Sequence, residues 1–361
     1  MQSRLGKLLA AVAMMGLLFF SGLLNVSAQS NSGPAANAQT GYAVKKPIIG
    51  GACVTCPWGA MSEVVKEVMQ PYGWDVQICY YCSGGPREAR MVAGAMMATP
   101  PELSRPDDMP TPVGSIDFGA TGAAVLKAAY LGENDFVRDP EGPRKQLCAV
   151  AFIQSPAYYI VAVKASLGIT DLAEIAQKRM PVKMFAGLVG QRQLTPAVLE
   201  YYGLSREKIE SFGGTFVTHY SRDDDYDVML GFGSLSNAPE FTHWYHATQK
   251  YDLKFLEIAP DLRKQLNQRF YAEEQTMPVG YFRGVDKRVP TVVQNGIVIY
   301  GRTDMPDDFA YTLARALDEH KDVLVWRHMH WSYNPTNVWN PPGLPLHPGA
   351  EKYYREVGYI K

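Results

Sequence analysis

The chain predicts an α/β protein with two lobes, and three observations carry that reading. Short apolar runs of strand length alternate with stretches whose apolar residues recur at helical spacing. Repeated strand–helix units imply a parallel sheet with helices on its faces. The theme occurs twice, before and after about residue 155, in a chain whose 361 residues suffice for two lobes. Hydrophobic residues make up 47%, ample for cores of that size.

The first segment is a targeting signal. Arg4 and Lys7 precede an apolar run from Leu8 to Leu24, and Val26-Ser27-Ala28 is a small-x-small cleavage site. Residues 1–28 therefore read as a signal peptide, and the Ser/Asn/Gly/Ala-rich stretch that follows makes 29–45 a flexible leader. The destination is an oxidising periplasm. No later run is long enough to span a bilayer, so the processed chain is not expected to be transmembrane. The net charge is −1 without a basic patch, which argues against nucleic acid as partner.

Lobe 1 is expected over 46–155. Residues 47–51 form a short strand ending in glycines, and Met61, Val64, Val65 and Val68 mark a helix over 60–69. A second strand spans 74–80. Ser83-Gly-Gly-Pro86 opens a helix reaching Met97, with proline in its preferred first turn. A third strand over 115–119 leads into a helix from Thr121 to Ala129. Cys148 lies in an apolar strand-like run and reads as a buried, inert thiol.

Lobe 2 is expected over 156–295. It has a strong apolar strand over 157–164, a capped helix start at Thr170-Asp-Leu-Ala-Glu174, a strand over 182–185 and a helix over 195–202. A strand over 227–233 then runs into a Gly/Ser/Asn loop. A late strand over 296–300 and a helix from about Met305 to His320 begin a C-terminal part, 296–361, expected to pack back on lobe 1.

Ligands of open parallel sheets sit at the carboxyl ends of the strands. The strand-to-helix turns at 53–59, 82–86, 119–122, 187–195 and 231–239 are thus the candidate site. Free N–H groups and the positive dipole end of each helix suit an anion there. Ser83, Thr121, Ser234 and Asn237 are the candidate hydrogen-bonding residues, with Gly84 and Gly85 as the cradle. Trp58 and Tyr158 are candidates for an apolar wall. Arg192 is positioned to clamp a carboxylate, and Arg87, in a helix's first turn, reads as a surface or supporting residue.

Four of the five cysteines form two CxxC pairs, Cys53/Cys56 and Cys79/Cys82, both at or beside these turns. Three readings stay open. The thiols form disulfides, either within each pair or across, for example Cys53 with Cys82. Such a cross-link closes a loop of about thirty residues and contributes about 3 kcal/mol. They remain free. Or they hold a metal or do redox chemistry, since the spacing is close to a zinc ribbon's. His243/His246 and His328/His330 belong to no clear ligand set, and Asp223-Asp-Asp225 lacks the spacing of a calcium loop, so no metal site is assigned to them. No Ser-His-Asp or Cys-His grouping can be assembled, so no enzyme is expected.

Several segments resemble the TAXI family of TRAP-transporter solute receptors. They are the tail Pro345-Leu-His-Pro-Gly-Ala-Glu-Lys-Tyr-Tyr-Arg-Glu356, the run Ile297-Val-Ile-Tyr-Gly-Arg-Thr-Asp-Met-Pro-Asp-Asp308, the turn Ser83-Gly-Gly-Pro-Arg-Glu-Ala-Arg90, and the segments Gly168-Ile-Thr-Asp-Leu172 and Leu199-Glu-Tyr-Tyr-Gly-Leu204. In shared order they cover most of 47–358. The resemblance implies a two-lobed periplasmic-binding-protein fold of type II-like form. A small organic anion, carboxylate or amino acid-like, would bind in the cleft between the lobes and pass to TRAP membrane permease subunits. It implies no cofactor. The sequence departs from the family at two ligand-facing turns. Cysteines precede Pro57-Trp-Gly59, and Gln191, Arg192 and Gln193 stand where the family has a small Gly/Ser/Thr turn. The Pro- and Asp-bearing stretch 98–114 lengthens a connection on the side away from the cleft. The rival readings are a periplasmic metal or thiol-redox protein on the same fold, and a sensory binding protein.

Overall fold

Strand β1 (Ile48–Gly50) pairs in parallel with β2 (Gln77–Cys79), and helix α1 (Pro57–Met69) makes the crossover between them. The computed structural model describes residues 41–51, 54, 56–80, 84–94, 116–187 and 194–361. The signal and most of the leader, the stretch 98–114, and Cys53, Cys82, Ser83, Gln191, Arg192 and Gln193 lie outside them. Helix α1 follows the helical spacing of its apolar residues: Met61, Val64, Val65, Val68 and Met69 are all buried. Next come α2 (Gly85–Val92), β3 (Gly119–Gly122) and α3 (Ala123–Leu131). The third strand thus ends three residues later than expected, and Thr121 lies within it, opposite Val298.

Strand β4 (Leu147–Lys164) is 18 residues long. After it come α4 (Ala173–Gln177), β5 (Lys183–Ala186), α5 (Leu194–Tyr201), α6 (Arg206–Ser211), β6 (Thr215–Val217) and β7 (Val228–Gly233). The chain continues through α7 (Thr242–Lys250), β8 (Leu253–Leu256), α8 (Pro260–Phe270), β9 (Glu273–Met277) and β10 (Val289–Arg302). It closes with α9 (Asp307–Glu319), α10 (Asp322–Trp326) and α11 (Pro348–Glu356).

The large sheet has eight strands, ordered β3-β10-β4-β7-β5-β6, with β8 also on β4 and β9 also on β10. Strand β5 pairs in parallel with β6 and β7, whereas β4 and β10 are antiparallel to each other and to their other neighbours. The sheet is therefore mixed, not the parallel sheet expected. The strands anticipated at 157–164 and 296–300 are parts of two longer ones. Pro156, which cannot donate to a ladder, and the Asn295-Gly296 break disguise their continuity. The ladder between β4 and β10 shifts register between Gln294 and Gly296, a bulge at Asn295.

Burial follows the pleat. Along β4, Ala157, Tyr159, Val161 and Val163 enter one core, with Ile175, Val198 and Leu262 of α4, α5 and α8. Ile160 and Ala162 point the other way, to Trp244 and Ala247 of α7. At its other end, β4 sends Val150, Ala151 and Ile153 into a core shared by α1, α9 and α11. Leu147, Ala149 and Phe152 face residues of α2 and α3 instead. The same two long strands therefore run through all four cores.

The C-terminal motif has a physical reason at each residue. His347 is fully buried at the start of α11; its Nδ1 accepts from Gly349 N at 3.1 Å, and its Nε2 lies 2.9 Å from the Met305 carbonyl. A Cβ on Gly349 would stand 2.2 Å from the Asp307 carbonyl oxygen, so only glycine lets α11 meet the start of α9. The Tyr354 hydroxyl donates to the Val150 carbonyl at 3.1 Å and anchors α11 to β4.

Candidate binding cleft

A cavity of about 200 Å³ lies where β4 and β10 pass between the cores. Ser155 and Ala157 of β4 and Gln294 to Ile297 of β10 contribute one part of its lining. Three helix starts also reach it: Pro57 and Trp58 of α1, Gly85 and Pro86 of α2, and Ala123 to Val125 of α3. Phe232 and Phe241 add apolar surface from the second half of the chain. The lining is mainly apolar with few polar groups, as ligand pockets commonly are.

None of the three helix N-termini carries a side-chain cap among the described residues. Their N-caps are Cys56, Gly84 and Gly122. Glycine has no oxygen with which to accept from first-turn N–H groups, and a cysteine sulfur accepts weakly. The positive ends of three helix dipoles thus converge on one cavity.

Five further polar side chains complete the lining. Asn295 Nδ2 donates to Glu273 at 3.3 Å, a bond made possible by the bulge in β10 and the pairing of β9 with it. Lys127 of α3 places its Nζ 4.2 Å from the centre of the Tyr271 ring. The Tyr271 hydroxyl donates to Glu133, beyond the end of α3. Tyr271 has a φ of 57°, a left-handed conformation that is unfavourable for a bulky residue. It follows α8 yet packs against the core that holds residues of α2 and α3, so through Lys127 and Glu133 this one residue ties two parts of the chain together. Asn267 of α8 completes the polar set.

Of the residues proposed from sequence, Trp58 and Gly85 line this cavity. Gly84 is the N-cap of α2, with φ 145°. Thr121 is buried one residue short of the lining, its hydroxyl without a hydrogen-bond partner among the described residues. Tyr158 does not line it; being one residue off Ala157 it points to the opposite face, edge-on to Tyr281 at 4.9 Å. Ser234 is buried beside Tyr281, and Asn237 is exposed, its backbone N–H donating to the His328 carbonyl at 2.9 Å. Sequence reasoning missed Lys127, Asn267, Tyr271, Glu273 and Asn295. The polar Asn295-Gly296 break in an otherwise apolar strand was the one signal for them.

Cys56 is buried at the start of α1, and Cys79 ends β2. Cys148 is free and buried, and burial pushes its pKa up to about 12, as suits an inert thiol. Asp224 pairs with Lys183 at 2.7 Å and Asp225 with Lys164 at 2.8 Å.

Fold and cavity together define a mixed α/β protein with a small-molecule-sized cleft at its crossover strands. The chain belongs to the NMT1-like family, whose model matches residues 111–358. Similar solved structures include the periplasmic binding protein BugD, at 12% identity, covering 86% of this chain and 94% of that one with a TM-score of 0.44. A TctC solute binding protein from Polaromonas matches at 12% identity, covering 87% and 98%, with a TM-score of 0.43. An R. palustris protein with adipate matches at 12% identity, covering 86% and 92%, with a TM-score of 0.41. Among the described residues, no helix is long and apolar enough to cross a membrane.

Proposed function

We propose that this chain is an extracytoplasmic solute receptor that captures a small organic anion in the cleft and delivers it to membrane permease subunits. The observation that carries the reading is the convergence of three helix N-termini without side-chain caps on one cavity. A carboxylate placed there accepts from first-turn N–H groups and meets the helix dipoles. Glu273, on the same lining, is an acceptor for a ligand ammonium or hydroxyl. The two together favour an amino acid-like or hydroxy acid ligand over a simple dicarboxylate. Trp58, Phe232 and Phe241 supply its apolar surround.

The resemblance of the tail and the Ser83–Pro86 turn to TAXI receptors supports a TRAP-type permease as the partner. The signal-like segment 1–28 supports export to the periplasm. Residues 46–155 with 296–361 would form one lobe and 156–295 the other, and β4 and β10 would be the hinge. We further propose that the CxxC cysteines form disulfides that brace the ligand-facing turns, leaving the cleft rather than the sulfurs as the functional centre.

A thermal-melt panel of amino acids, oxo acids, dicarboxylates and divalent metals tests this. A true ligand at about 100 times its dissociation constant stabilises by about 2.7 kcal/mol. The expected result is a shift with one carboxylate class, weakened by Trp58→Ala. A shift with metals alone, abolished by reduction, would refute the receptor reading and favour the thiol–metal one.

A further inference from the structure

Beyond the cleft, we propose a second ligand site on the second half of the chain, a pocket for the oxyanion of a phosphate group. A cavity of about 420 Å³ opens at the carboxyl ends of β5 and β7, beside α7 and the segment that follows β6. This end of parallel strands is where α/β sheets hold ligands. Its floor is bare because two glycines meet there. A Cβ on Gly231, whose φ is 149°, would stand 3.3 Å from the Gly187 Cα, and Gly187 N–H donates to the Leu230 carbonyl at 2.7 Å.

The walls carry the chemistry of an anion site. Arg222, His219 and His246 line the cavity, and no Asp or Glu does so among its described lining residues. Arg222 lies against the His246 ring, its Nε donating to Nδ1 at 3.2 Å, and among the described residues it has no carboxylate partner. A guanidinium without a carboxylate is the usual recognition group for phosphate. Tyr220 stacks on the His246 ring with centroids 6.4 Å apart and meets Phe185 edge-on at 5.8 Å. These rings give the pocket an apolar wall on which the organic part of a phosphate ester can rest. The Thr218 hydroxyl, 3.3 Å from His219 Nδ1, adds a small donor at the mouth. Phe232 lines this pocket and the cleft alike, so the two cavities share one ring.

The full chain is titrated calorimetrically with inorganic phosphate and with glycerol 3-phosphate, and the histidine ring resonances are followed by NMR. Saturable binding that moves His219 and His246 is expected, weakened at least tenfold by Arg222→Gln. Arg222 is exposed, so that variant should melt as the parent does. Tighter binding of inorganic phosphate supports the site as one for a free oxyanion; tighter binding of the ester supports it as one for a phosphorylated solute. Trp58→Ala, in the cleft, should leave both affinities unchanged, so failure of the cleft reading and failure of this one are separable. Absence of saturation, an Arg222→Gln affinity equal to the parent's, or equal weakening by Trp58→Ala would overturn the proposal.

Discussion

At the scale of single residues, burial outweighs the neighbouring charge and hydrogen bond at one acid, Asp117. Asp117 is buried and accepts from the Ile48 N–H at 2.7 Å. Burial raises its pKa from 3.8 to about 6, against the lowering effects of that hydrogen bond and of Arg302. The folded pKa lies above the unfolded one, so its stabilising contribution is full below about pH 4 and is lost as pH rises through about 6. Asp117→Asn should therefore gain on the parent by roughly 1–2 kcal/mol between pH 4 and pH 8, allowing for partial solvent screening. Urea unfolding at the two pH values measures this, and a pH-independent difference would refute it. Residue identity alone marked Trp58 and Gly85 as cleft residues, because each sits in a strand-to-helix turn. Tyr158 went the other way because a strand alternates its side chains, and sequence could not say which of Ala157 and Tyr158 faced the cavity.

At the scale of elements, helix starts were legible and strand lengths were not. Proline in the first turn marks α1 and α2, whereas the capped start expected at Thr170 is not formed: Leu172 is the N-cap of α4 and makes no side-chain cap, and Thr170 N and its hydroxyl both donate to Glu174 Oε1, at 2.7 and 3.2 Å. Strand β10 was read as five residues and is 14, because the Asn295-Gly296 bulge looks like a turn in one dimension. Helix α2 is also tied down from behind. Arg90 meets Asp139 at 2.8 Å, and Arg144 meets the same carboxylate at 2.7 Å, all nearly excluded from solvent. Such a buried ion-pair set, in which two guanidinium groups share one carboxylate, holds the helix in one orientation and so fixes its N-terminus at the cavity. The proposed role of these N-termini makes a sharp prediction. Ala124→Glu puts a carboxylate at the start of α3, which favours the helix by about 0.3–1 kcal/mol yet occupies and repels at the anion site. Calorimetry should show at least tenfold weaker ligand binding while the melting temperature holds. Unchanged affinity would remove α3 from the site.

At the scale of the whole molecule, Tyr271 is the residue to test. It belongs to the segment after α8, but its hydroxyl reaches Glu133 and its ring covers the Lys127 ammonium. If β4 and β10 are the hinge, as proposed, this contact would latch the closed form. Tyr271→Ala should leave ligand association nearly unchanged and speed dissociation about tenfold or more in stopped-flow measurements. Tyr271→Phe, which keeps the cation–π contact, should lie between the two. An unaltered dissociation rate in both would rule out the latch. The sequence by itself determined the α/β class, the proline-marked helix starts, the buried thiol of Cys148 and the place of Trp58 in a strand-to-helix turn, since these depend on spacing and local backbone rules. Only the tertiary structure decided that the sheet is mixed, that β4 and β10 run through every core, and that Lys127, Tyr271, Glu273 and Asn295 share a cavity. The physical reason is that strand pairing over separations of more than a hundred residues, as between Val293 and Tyr158, leaves no periodic trace in either partner's sequence.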